Sequence, residues 1–244
     1  MSEKRIIAMW SGPRNLSTAM MRSFENRADT VVWDEPFYAA YLKETGLPHP
    51  MAAEVMAAGD QNWKSVANSC QRPSQDVSIF YQKHMTHHML PGIDRNWIAN
   101  ISNAFLIREP ARVVASYGQK HADISLSDIG FTQQADIFDL ICEQTGKAPP
   151  VIDATDVRNN PKGTLSALCE ALDIPFKETM LSWPEGERAT DGVWAAHWYD
   201  SVVKSNEFAP PDTKVPVLND AQKKIVEDAQ SIYEHMKRHV LIAA

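Results

Sequence analysis

The sequence predicts a three-layer α/β domain with a largely parallel central sheet, of the kind that carries a phosphate-binding loop for nucleotides. Three observations predict it. Five short apolar runs, at 6–10, 30–33, 77–83, 104–107 and 151–153, have the length of buried strands. Stretches with helical spacing separate them, an alternation that builds a parallel sheet covered on both faces. Charged and small polar residues collect just after the runs, at the strand ends where open sheets of this kind hold ligands. The 244 residues, 44% hydrophobic and 23% charged, suit one domain over 1–244.

The first run, 6–10, leads into Ser11, Gly12 and Pro13, a turn of small and breaking residues. Ser17 and Thr18 then precede Met20, Met21 and Phe24 at helical spacing. Strand, tight loop and helix form the layout of a phosphate-binding loop. A helix start offers unpaired N–H groups and a positive dipole end. Arg14 adds a cation with two donors for an oxyanion, and Ser17 and Thr18 add hydroxyl donors. The loop has no lysine, and Ser17 follows Gly12 by five positions, so it is not a Walker A sequence.

The second run, 30–33, ends in Asp34-Glu35-Pro36. Proline cannot continue a central strand, so the acidic pair falls at or past the strand end, and Glu35 is a candidate base. Residues 42–73 are weakly patterned, with a helical piece at 51–58, and are read as a helical insertion on the substrate side. The third run, 77–83, ends in Lys83-His84-Met85-Thr86-His87-His88. The histidines lack a companion ligand at zinc spacing, so no metal is assigned. The fourth run leads into Arg108-Glu109-Pro110, with Pro110 suited to the first helical turn. Ser116 lies two turns on, on a face directed back to the sheet. A helix over 133–145 ends at Gly146 and precedes the fifth run. Asn160 caps and Pro161 opens a helix carrying Leu165, Leu168 and Leu172. Trp183, Trp194, Trp198, Tyr199 and Phe208 mark an aromatic, turn-rich stretch that is read as core, and a final helix spans 221–239.

The net charge of −7 argues against nucleic acid or an anionic membrane as the main partner, while leaving room for a local basic pocket. The widely spaced Cys70, Cys142 and Cys169 read as reduced thiols. With no signal-peptide apolar region and no run long enough to span a membrane, a cytoplasmic protein is expected.

Pro13-Arg14-Asn15-Leu16-Ser17-Thr18 resembles the Pro-Arg-Ser-Gly-Ser-Thr loop of bacterial sulfotransferases, with Asn15 for serine and Leu16 for glycine. Arg108-x-Pro110 followed by Ser116 and Tyr117 resembles the second signature of that family. The run 156–176 resembles its late Asn-Pro helix. The resemblance implies that residues 11–18 hold the 5′-phosphosulfate of 3′-phosphoadenosine 5′-phosphosulfate (PAPS). It implies that Arg108 and Ser116 hold its 3′-phosphate and that Lys83 contacts the sulfuryl group. The base is Glu35, His84 or His87, with Glu35 preferred. Gly192, Trp194 and Lys204 are the nearest counterparts of the family's C-terminal lid. The implied reaction is sulfuryl transfer from PAPS to a hydroxyl or amine of a small molecule, without a metal. The alternatives are a kinase or NTPase, for which Val151-Ile152-Asp153 would serve as a Walker B strand, a catalytically silent nucleotide binder, and a ligand-free scaffold.

Overall fold

A computed structural model describes residues 4–72, 77–120, 123–211 and 213–243; Pro73, at the end of the expected insertion, lies outside them. The strands are β1 (Arg5–Ser11), β2 (Thr30–Asp34), β3 (Ile79–Met85), β4 (Ser102–Ile107) and β5 (Val151–Asp153). All pair in parallel, in the order β2-β3-β1-β4-β5. The helices are α1 (Ser17–Glu25), α2 (Tyr38–Thr45), α3 (Ala52–Ala58), α4 (Trp63–Cys70), α5 (Pro110–Tyr117) and α6 (Phe131–Thr145). They continue with α7 (Ala154–Asn159), α8 (Pro161–Ala171), α9 (Ala195–Trp198), α10 (Asp200–Val203) and α11 (Asp220–Lys237).

The alternation of side chains along β1 builds the layers. Ile7 and Met9 join a core with Met20, Phe24, Leu42, Leu165 and Leu168, which belong to α1, α2 and α8. Ala8 and Trp10 join a second core with Val113, Ile137, Phe138 and Tyr233, which belong to α5, α6 and α11. Both faces of the strand are therefore dry, as its unbroken apolar run requires. The β5 edge is closed by the chain after α11, where the Leu241 N–H donates to the Val151 carbonyl at 2.8 Å.

Two helix starts follow their sequence signals closely. The Asn160 side chain accepts from the Gly163 N–H at 3.0 Å with Pro161 in the first turn, and Asn219 and Gln222 form a reciprocal capping box on α11. The insertion read over 42–73 resolves into the end of α2 followed by α3 and α4. One boundary shift matters for chemistry. The sequence places the end of the third strand at Lys83, whereas β3 runs on to Met85. Lys83 and His84 are thus neighbours inside a strand and point to opposite faces of the sheet.

Candidate active site

A cleft of about 720 Å³ opens at the carboxyl ends of the strands. Residues 13–19, Glu35, Lys83, His87, His88, Arg108 and Ser116 line it, together with Trp198, Tyr199 and a strap formed by residues 214–217. Five cations other than Lys83 face the same space, namely Arg14, Arg108, Arg112, Arg158 and Lys214, and Glu35 is the one carboxylate among the described lining residues. A protein of net charge −7 thus gathers a local basic pocket.

The loop before α1 forms the floor. Leu16 is the N-cap of α1 in the left-handed conformation, with φ 72°, and makes no side-chain cap bond. The loop therefore keeps a path that glycine would follow without strain, and its helix start has no capping side chain. Arg14 is left-handed too, with φ 63°. Gly12 is needed for a different reason: a Cβ there would stand 2.4 Å from the Ile129 carbonyl oxygen. Gly12 and Ser11 support the loop from beneath and do not line the cleft; the Ser11 hydroxyl is buried without a hydrogen-bond partner among the described residues. Asn15 is buried and donates to the Leu106 carbonyl at 3.3 Å, tying the loop to β4.

The two sequence signatures meet here. Arg14 Nε donates to Ser116 Oγ at 2.9 Å, and an Arg108 guanidinium nitrogen donates to the Arg14 carbonyl at 2.7 Å. Arg14 is 102 residues from Ser116, so only the β1–β4 pairing brings them together. Burial lowers the Arg14 pKa, as expected of a guanidinium drawn out of water.

Across the cleft, Lys83 is enclosed. Its Nζ donates to Asp34 Oδ1 at 2.8 Å, to Glu35 Oε1 at 2.5 Å and to the Tyr199 hydroxyl at 2.6 Å. Tyr199 in turn donates to Asp34 Oδ2 at 2.6 Å, and Trp194 Nε1 donates to the Tyr199 oxygen at 3.1 Å. The three donors of the ammonium are all engaged. Glu35 has φ 41°, and burial raises its pKa above the usual carboxylate range, with Lys83 opposing and Asp34 reinforcing that shift.

His84 is not brought to this site. On the far face of β3 it stacks on Trp10 with centroids 4.4 Å apart, and its Nε2 meets Gln82 Oε1 at 2.9 Å. Burial lowers its pKa to about 3. The expectation that it acts as base is corrected by the strand boundary: it is a core histidine. His87 does line the cleft, on the turn after β3. Asp153, read as a Walker B carboxylate, lies outside the cleft; it caps α7 by accepting from the Thr155 N–H at 2.7 Å and also accepts from the Tyr233 hydroxyl at 2.7 Å.

The chain matches the family model described as "Sulfotransferase domain" over residues 4–240. It belongs to the sulfotransferase domain family. Two relatives come from Arabidopsis thaliana. "Branched-chain-amino-acid aminotransferase-like protein 1" is 35% identical over 98% of this chain and 43% of that protein. "Branched-chain-amino-acid aminotransferase-like protein 2" is 31% identical over 96% of this chain and 42% of that protein. The chain thus spans less than half the length of these curated relatives. The fold is also that of the sulfotransferase domain of the curacin biosynthetic pathway, with TM-score 0.52 and 15% identity over 94% of this chain and 99% of that one. A sulfotransferase from Alicyclobacillus acidocaldarius gives TM-score 0.55 and 8% identity over 98% and 97%.

Some lining residues are not singled out by the sequence reading. Arg112 is four positions before Ser116, a spacing that puts it on the same face of α5 and would have found it. Tyr38 has no such local signal, and His88, given no role above, and Trp198 and Tyr199, read above as core, owe their place on the cleft wall to tertiary contacts.

Proposed function

We propose that this chain transfers a sulfuryl group from PAPS to a hydroxyl or amine of a small-molecule acceptor. The observation that carries the reading is the contact of Arg14 with Ser116 and of Arg108 with the Arg14 carbonyl, in one basic cleft facing Glu35. The residues present fit the donor. The uncapped start of α1 with Ser17 and Thr18 suits the 5′-phosphosulfate, and Arg108 with Ser116 suits a 3′-phosphate.

In this reading the acceptor oxygen forms a bond to sulfur while the bond from sulfur to the bridging phosphate oxygen breaks. The electron pair stays on that phosphate oxygen, and the acceptor proton passes to Glu35. The products are a sulfate ester (or sulfamate, from an amine) and 3′-phosphoadenosine 5′-phosphate (PAP). Arg14 offsets the charge that develops on the leaving oxygen. Lys83 holds Glu35 at the cleft wall, and a direct contact with the sulfuryl group requires it to exchange one of its present partners. The same reading takes neither nucleic acid nor a membrane as partner. It includes a cytoplasmic setting, supported by the free Cys70, Cys142 and Cys169. No helix among the described residues is long and apolar enough to cross a membrane.

The test is calorimetric titration with PAP, AMP and ATP, with and without Mg²⁺. Metal-independent preference for PAP is expected, and Arg108→Ala should weaken PAP far more than AMP. Equal losses for both, or a preference for ATP with Mg²⁺, overturn the assignment.

A further inference from the structure

The three acceptors around Lys83 Nζ are unequal. Asp34 and Glu35 are carboxylates facing an ammonium whose side chain is 1% exposed, and parting a buried ion pair leaves uncompensated charge behind. Neither Asp34 Oδ1 nor Glu35 Oε1 has another hydrogen-bond donor among the described residues. Tyr199 is neutral, since burial raises its pKa well above the ordinary tyrosine value, and it keeps two further bonds. Its hydroxyl donates to Asp34 Oδ2 at 2.6 Å, and its oxygen accepts from Trp194 Nε1 at 3.1 Å. Letting go of the lysine therefore strands no polar atom of the tyrosine. The two partners also differ in their supports. Asp34 ends β2 and is paired into the sheet, whereas Tyr199 joins two four-residue helices, α9 and α10, on the cleft wall.

Resting on the sulfotransferase reading, in which Lys83 meets the sulfuryl group, we propose that Tyr199 is the partner that Lys83 gives up for it. The tyrosine is then a positioning residue. It holds the ammonium beside Glu35 until the donor enters, and the swap replaces a neutral acceptor with a charged sulfuryl oxygen. No covalent bond or proton moves in the exchange, because the tyrosine keeps its proton, donated to Asp34. PAP carries no sulfuryl group, so after transfer the hydroxyl takes the third lysine donor back. The bond from Lys83 to Tyr199 thus opposes the binding of PAPS and leaves that of PAP alone.

The experiment measures the affinities of PAPS and PAP, without acceptor, for the unaltered protein and for Tyr199→Phe. Removing the hydroxyl frees one Lys83 donor in advance, so the PAPS-to-PAP affinity ratio should rise about tenfold with PAP itself unchanged. In a Lys83→Met background the same substitution should leave the ratio where it is. A tyrosine that only supports the fold would weaken both ligands alike. An unchanged or lowered ratio, or a rise that persists without Lys83, overturns the proposal. A gentler variant covers the case in which Tyr199→Phe does not fold. Tyr199→3-fluorotyrosine keeps the hydroxyl, and its fluorine resonance should move further with PAPS than with PAP; equal shifts overturn the proposal. If neither PAPS nor PAP binds, the donor reading falls and the exchange with it. If both bind and the ratio stays flat, the donor reading stands and only the exchange falls.

Discussion

Glu35 brings together three properties that seldom coincide on a solvated carboxylate: a left-handed backbone, a side chain only 11% exposed, and a lysine 2.5 Å from its oxygen. Backbone strain of this sort is held in place only by surrounding contacts and clusters at functional sites. If Glu35 is the base of the proposed reaction it must be ionised, and its raised pKa means that turnover should climb with pH through a value above the ordinary glutamate value of about 4.3. Glu35→Gln should leave PAP affinity intact and lower turnover by about 10²- to 10⁴-fold, measured with labelled donor. Unchanged turnover would move the base to His87. At this scale Lys83 was legible in the sequence because a charged residue ending an apolar run has few places to go. His84 was not, because a strand two residues longer than its apolar run turns the next side chain to the other face.

At the scale of elements, the loop before α1 and the turn before α6 are fitted to each other. Gly12 lies against the Ile129 carbonyl, and Gly130 is left-handed with the Thr86 hydroxyl 2.6 Å from where its Cβ would stand. Gly12→Ala forces a methyl group onto backbone rather than onto a flexible side chain. It should cost about 1–3 kcal/mol, read as a lower urea midpoint, and should weaken PAP binding because the phosphate loop must shift. An unchanged midpoint would mean that the 129–130 turn yields freely. The strand-loop-helix order and the capping residues of α8 and α11 were legible because they depend on neighbours in sequence. The left-handed Leu16 was not: its conformation is imposed by the loop's anchorage through Asn15 to β4.

For the whole molecule, two buried histidines, His84 and His88, and the partly buried His87 set a pH limit on stability. His84 and His87 have pKa values lowered to about 3, and burial holds His88 well below its ordinary value. In the unfolded chain they return to about 6.5, so that state binds more protons as the pH falls. Stability present above pH ~6.5 is therefore lost progressively towards pH ~3, by up to about 1.4 kcal/mol per pH unit for each histidine. Urea midpoints should fall steeply between pH 7 and pH 5; a flat profile across that range contradicts the burial of these rings. The parallel sheet and its two covered faces follow from the apolar runs, which is why the architecture was readable from sequence while the strand order and the acceptor end of the cleft were not.

The bond from Tyr199 to Asp34 joins positions 165 residues apart. During synthesis, Asp34, Glu35 and Lys83 leave the ribosome long before the tyrosine that completes their network. A chain halted before residue 199 would hold Lys83 between Asp34 and Glu35 with no tyrosine hydroxyl to share them, so the network closes only once residues from both ends of this domain have been made.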